Sequence, residues 1–228
     1  MRTGEQHDAG AIEVAVGRVR RRVEEACRRA GRRSEDVRLI AVTKTVPAEM
    51  VERAAAAGIG DFGENYVQEL EAKRPAAPKA IWHFIGRVQR NKVRRILAAS
   101  DWVQTLEPGG ATDLLARLAA DRPVPVPCLV EVDFTGVRVG VPVEEAPAFV
   151  AGLRSAPGLE VRGLMTVAPL GEPPRPYFRR LRELRDALAR DHPSVQELSM
   201  GMTADLEEAV EEGATMVRVG AAIFGPRP

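Results

Sequence analysis

Apolar and polar positions along the chain follow two different periods. Over residues 11–30 the apolar set is Ile12, Val16, Val19, Val23, Ala26 and Cys27, with charged residues between them. Spacings of three and four residues put these side chains on one helix face, and Gly31 suits its end. From residue 37 another rhythm begins. A short β-branched or apolar run is followed by a polar turn, then by a stretch rich in Ala, Leu, Glu and Arg. The apolar runs are 37–43, 60–63, 80–85, 102–106, 126–133, 161–167, 196–200 and 216–220. The helical stretches after them are 47–57, 65–73, 91–99, 110–120, 143–155, 177–190 and 204–212, with a last turn from Ala222.

Strands alternating with helices predict a parallel sheet. Eight such units predict an α/β fold, a single (β/α)8 TIM-type barrel with an extra N-terminal helix. The runs are apolar on both faces, as strands buried on both sides require. An open doubly wound sheet is the rival, but no GxGxxG turn follows the first strand. Pro-rich stretches at 122–127 and 169–176 read as loops between units, so one domain is expected over residues 1–228.

Composition narrows the function classes. The chain is 45% hydrophobic and 29% charged, which fits a globular protein. Its net charge of +1 argues against nucleic acid or an anionic membrane as a partner. Two basic runs, Arg18 to Arg22 and Arg87 to Arg95, read as solvated helix faces. Cys27 and Cys128 lie far apart with no CxxC or zinc spacing, so neither a disulfide nor a metal is expected. The N-terminus lacks a signal-peptide pattern, and no window approaches the ~20 apolar residues of a membrane span. A soluble, cytoplasmic protein is the expectation.

In such barrels the site is built at the C-terminal ends of the strands, with phosphate often after strands seven and eight. Strand one ends in Thr43-Lys44-Thr45. Lys44 shares parity with Ile40 and Val42, so it can point along the interior at the mouth. A partly desolvated amine there can react with an aldehyde. Taken alone, the residue reads as a snorkelling lysine. Strand seven ends in Ser199-Met200-Gly201-Met202-Thr203, with hydroxyls, a glycine and a helix start near Ala204. Thr203 suits an N-cap, and capping and anion binding draw on the same N–H groups. In strand eight, Arg218 faces inward with Met216 and Gly220 if Val217 and Val219 face the helices. A buried guanidinium then needs an acceptor, either a carboxylate or a ligand. Asn65 after strand two is a helix cap or a ligand contact, and His83 alone reads as a hydrogen-bonded core histidine. Together these features describe a barrel that holds a phosphorylated aldehyde.

The separated motifs AVTKT (41–45), FGENYVQE (62–69), WHFIGRVQRNK (82–92), RGLMTVAP (162–169), ELSMGMTADLEEAV (197–210) and GATMVRVGAAIFG (213–225) occur in this order. With them the sequence resembles the YggS/PROSC family of pyridoxal 5′-phosphate (PLP) homeostasis proteins, from about Val37 to Gly225. The resemblance implies a barrel like the PLP-carrying domain of alanine racemase, the type III PLP fold. It implies PLP as cofactor, joined to Lys44 as a Schiff base, the internal aldimine. It places the phosphate on Ser199, Gly201, Met202, Thr203, Gly220 and Ala221, and Arg218 near the pyridine nitrogen. Asn65, His83 and Met165 fall on positions lining the pocket.

The chain departs from the family pattern at Ala221 and Thr203, where the family often has a hydroxyl residue and a serine. Arg138 stands at a position that is often lysine, in a segment that looks shorter than usual. A racemase needs a second base, brought as a tyrosine by another domain and subunit. This chain stops at Pro228, and neither Tyr66 nor Tyr177 claims the role. The expectation is a PLP carrier or regulator in vitamin B6 homeostasis without robust catalysis. PLP-dependent apoenzymes are its possible acceptors, and a monomer is expected. A low-activity racemase or lyase is the runner-up, and a scaffold docking a partner at Arg87 to Arg95 is a third reading.

Overall fold

The computed structural model describes residues 3–136, 139–153 and 155–226, so Arg138 lies outside the described residues. The strands are β1 (Arg38–Val42), β2 (Asp61–Glu64), β3 (Ile81–Phe84), β4 (Trp102–Leu106), β5 (Val126–Asp133), β6 (Val141–Pro142), β7 (Leu159–Met165), β8 (Glu197–Ser199) and β9 (Met216–Val219). All pairings are parallel, in the order β4-β3-β2-β1-β9-β8-β7-β5. A further β4–β5 pairing closes the ring into an eight-stranded barrel. The two-residue β6, which the hydrophobic pattern did not reveal, adds to Val132 and Asp133 of β5 outside the ring.

The helices are α1 (Thr3–Arg29), α2 (Ala48–Ala56), α3 (Val67–Lys73), α4 (Val93–Ala99), α5 (Gly110–Ala119), α6 (Ala146–Leu153), α7 (Arg175–Asp191), α8 (Leu206–Glu211) and α9 (Ala221–Phe224). Alternation along each strand divides the apolar residues into two cores. Ala41, Val103, Val130, Leu164, Val217 and Val219 pack outward against the helices. Ile40, Trp102, Leu129, Met165 and Met216 fill the barrel interior.

One irregularity decides what faces inward near the mouth. Cys128 pairs with Val161 but Leu129 with Gly163, so Arg162 is an extra residue on β7. This bulge reverses the parity of the strand. Val161 faces the helices, yet Met165, four residues on, faces the interior.

Helix α1 packs its whole predicted apolar stripe against α2, α8 and α9. Two arginines of its basic run are more than a solvated face. Arg20 donates to the Gly58 carbonyl at 2.7 Å, at the C-terminal end of α2 where carbonyls lack helical partners. Arg22 grips Glu207 of α8 at 2.6 and 2.8 Å and donates to the Thr203 carbonyl at 2.9 Å. The Arg22 hydrogen bond holds the Glu207 carboxyl below its ordinary value despite partial burial. Arg87 and Arg95 of the second run make exposed ion pairs with Glu107 and Glu71. Both cysteines are buried and free. Among the described residues no helix is long and apolar enough to cross a membrane.

Candidate functional site

The loops after β1, β8 and β9 meet at one corner of the barrel mouth. Lys44 follows the end of β1, half-buried, and lines a cavity of about 220 Å3 with Val42, Met50, Gly220, Ala221 and Phe224. Larger cavities of about 290 to 440 Å3 lie elsewhere, and those are lined by none of the predicted residues. The strand-end chemistry therefore favours the cavity at Lys44. At Gly220 a Cβ would lie 3.3 Å from the Val42 carbonyl oxygen and 3.5 Å from its Cβ, a tight fit that an alanine enters with a small shift of β1.

The loop after β8 is tied to the start of α9. The Ala222 N–H donates to Thr203 Oγ1 at 3.4 Å, and the Arg218 N–H donates to the Gly201 carbonyl at 3.0 Å. Gly201 has φ +89°, and a Cβ on it would sit 2.4 Å from that of Ala209. Thr203 is not the N-cap that the spacing predicts. Helix α8 starts at Leu206, Asp205 holds the cap position, and its carboxylate accepts the Met202 N–H at 2.5 Å. The Thr203 hydroxyl faces α9 because the turn between Gly201 and Asp205 is not yet helical. Asn65 is not a cap either. Tyr66 stands at the start of α3, and Glu64 Oε1 accepts the N–H groups of Asn65 and Tyr66 at 2.8 and 3.3 Å. The Asn65 backbone instead packs on Gly86, where a Cβ would lie 2.0 Å from its carbonyl oxygen.

Beneath the mouth, the interior polar residues form one directed hydrogen-bond relay. Arg218 Nη1 donates to Ser199 Oγ at 2.6 Å, and Nη2 donates to the Thr166 carbonyl at 2.8 Å. Ser199 Oγ donates to Gln104 Oε1 at 2.7 Å. Gln104 Nε2 lies 2.9 Å from His83 Nδ1, and His83 Nε2 lies 2.9 Å from Asp61 Oδ1. The two ends dictate the direction. Burial lowers the Arg218 guanidinium to about 10, with the charges of Glu131 and Asp205 acting the other way. It therefore stays protonated at neutral pH and can only donate, while the Asp61 carboxylate can only accept. Every proton between them follows, and His83 is the neutral tautomer with its proton on Nε2.

Burial pushes the His83 imidazole below its ordinary value, although the Asp61 hydrogen bond and charge oppose this. The unfolded chain takes up that proton near 6.5 while the native state resists it. Stability from this group is thus present above 6.5 and lost as pH falls. Imidazole nitrogen NMR is expected to show a bare Nδ1 and a protonated Nε2 at pH 7. Urea midpoints should fall below pH 6.5 more steeply than in His83→Gln.

The structure brings Lys44, Gly201, Met202, Thr203, Gly220 and Ala221 to one corner, with Met165, Ser199 and Arg218 directly beneath. His83 lies deeper, fully buried with both ring nitrogens engaged. The Arg218 acceptors are a hydroxyl and a carbonyl. Ser199 spends its proton on Gln104, so in this arrangement it has no donor to offer an anion. Sequence reasoning missed Gln104 and Asp61. Gln104 carried a signal, being a polar residue inside the apolar run 102–106.

The donor set fits a phosphorylated aldehyde: a lysine amine, glycine-lined loops and a cationic donor beneath them. Residues 14–228 match the family described as alanine racemase, N-terminal domain, and the chain belongs to that family. It is 39% identical over 220 residues to the pyridoxal phosphate homeostasis protein of Aquifex aeolicus, covering 93% of this chain and 96% of that protein. The protein of the same name from Pseudomonas aeruginosa is 40% identical over 226 residues, covering 95% and 96%. The structure of PipY from Synechococcus elongatus PCC7942, with PLP bound, superposes with a TM-score of 0.78 at 34% identity. That match covers 83% of this chain and 93% of PipY.

Proposed function

We propose that this protein binds PLP through Lys44 and serves PLP homeostasis as a carrier. The observation that carries this reading is the half-buried Lys44 at the end of β1, beside the Gly220–Ala221 turn. The names of the two relatives and the PLP in the PipY structure support it. When bound, PLP supplies an aldehyde carbon for a lysine amine and a ring that can draw electrons from it. Gly201, Met202, Thr203, Gly220 and Ala221 would seat the phosphate through the backbone and the Thr203 hydroxyl. Ser199 would act through Arg218 by fixing its guanidinium. Arg218, a permanent donor, would face the ring nitrogen and offer it no full proton, which makes the ring a weak electron sink. Met165 and Asn65 would bound the ring, and His83 would support it only through Gln104 and Ser199.

The alternative of a low-activity racemase or lyase needs a second proton-transfer group. Tyr177 is bonded to Glu172, which with burial raises its hydroxyl above the ordinary value, and Tyr66 is exposed. Neither favours turnover. A cytoplasmic monomer handing PLP to apoenzymes completes the proposal. The two buried, free cysteines suit a reducing compartment.

The test is an absorbance spectrum of purified protein with PLP, before and after borohydride. A visible band that borohydride fixes to the chain is expected for the wild type and is expected to vanish in Lys44→Ala. Survival of the band in that variant would overturn the assignment. Robust steady-state racemisation of alanine would overturn the carrier role.

A further inference from the structure

The turn that carries Lys44 is strained. Thr45 has φ +63°, the one non-glycine residue with positive φ among the described residues. A β-branched residue is poorly suited to that left-handed conformation. Something outside the turn must therefore hold it.

What holds it is a buried ion cluster. Lys73, in the last turn of α3, is nearly inaccessible. Burying an ammonium is costly unless its protons are all engaged. Here the three donors have three acceptors: the Thr43 carbonyl at 2.6 Å, Glu64 Oε2 at 2.9 Å and Glu69 Oε2 at 2.5 Å. The same Glu69 oxygen accepts the Thr45 N–H at 2.9 Å. Glu64 Oε2 also accepts from Thr43 Oγ1 at 2.9 Å. The residues on either side of Lys44 are thus held by one pair, Thr43 by the ammonium and Thr45 by the carboxylate. The other Glu64 oxygen takes the N–H groups of Asn65 and Tyr66, so the cluster also joins the end of β1 to the end of β2. Every backbone group it binds lies at the barrel mouth. Burial would raise the Glu69 carboxyl, but the Lys73 and Thr45 hydrogen bonds outweigh it and keep the group ionised at neutral pH.

We propose that Lys73, Glu69 and Glu64 are positioning residues that aim Lys44 by clamping the peptide groups on both sides of it. This rests on the reading that Lys44 takes PLP. Without the clamp Thr45 relaxes to an ordinary conformation and the Lys44 side chain turns with the backbone.

The test uses Glu69→Ala, Glu69→Gln and Lys73→Met in the full chain, with Glu71→Ala as control. Glu71 lies on the same helix but pairs with Arg95 at the surface. Three quantities are measured: hydrogen exchange of the Thr45 amide without PLP, the rate at which Lys44 captures added PLP, and the visible circular dichroism of the loaded protein per unit absorbance. For Glu69→Ala, Thr45 exchange should rise at least tenfold and capture should slow roughly tenfold to a hundredfold. The dichroism should change in the same variant. Glu69→Gln keeps an acceptor for the Thr45 N–H and should recover most of both, while Glu71→Ala should match the wild type. The Glu69 variants decide the matter even if Lys73→Met does not fold. Wild-type exchange, capture and dichroism in Glu69→Ala, with the Lys44 band intact, would overturn the proposal. A wild-type protein with no Lys44-dependent band would instead overturn the PLP reading itself.

Discussion

Replacing Gly163 by alanine is expected to lower the thermal midpoint by roughly 10 °C. Gly163 follows the bulge on β7 and pairs with Glu197 of β8. An added Cβ would lie 1.9 Å from the Glu197 carbonyl oxygen and 2.6 Å from its carbonyl carbon. A methyl group has no rotamer that escapes, and the obstacle is backbone. The β7 and β8 strands must then separate where Ser199 is set beside Met165. Such overpacking costs about 3 kcal/mol, and a domain of this size loses about 2–4 °C per kcal/mol. Gly152, on α6 with nothing near its absent Cβ, is the matched control. Gly152→Ala should leave the melting curve unchanged or raise it slightly. A Gly163→Ala midpoint within 2 °C of wild type would show that the bulge yields easily.

Arg218→Met is expected to weaken ligand retention in a protein that still folds. The guanidinium is buried, and its removal leaves the Thr166 carbonyl and the Ser199 hydroxyl without that donor, a cost of about 1–3 kcal/mol. PLP retention should fall by about tenfold to a hundredfold, since a charged donor is worth about 1.5–3 kcal/mol. At saturating PLP the Lys44 band should persist, because the lysine is untouched. At the near end of the relay the Ser199 hydroxyl loses its obligate donor and can rotate, while at the far end the Asp61 carboxylate still holds the His83 proton on Nε2. Dialysis measures retention, and imidazole nitrogen NMR should still show a protonated Nε2. Unchanged retention would make Arg218 a structural residue only.

Much of the architecture was legible in the order of residues. Eight apolar runs, each followed by a helical stretch, count the barrel strands correctly, because burial on both faces leaves a local signature. Lys44 was legible as a strand-end residue, and Arg218 as inward-facing from the parity of Val217 and Val219. Caps were read less well. Thr203 and Asn65 have cap chemistry, yet α8 and α3 start beyond them, with Asp205 and Tyr66 at the cap positions. Parity also misleads along β7. Without the bulge at Arg162, Met165 would share the outward face of Val161.

The sequence by itself determined the periods, and with them the number of barrel strands, their parallel arrangement and the loops that hold the candidate residues. These depend on neighbours a few residues apart, which any stretch of chain records. Only the tertiary structure decided which polar groups meet. Ser199 and Gln104 are 95 residues apart and Lys73 and Thr43 are 30 apart. Their hydrogen bonds need Å-scale placement that barrel closure and the bulge supply, and no local pattern encodes it. Lys44 is thus found from the sequence, but how it is held is found only in the fold.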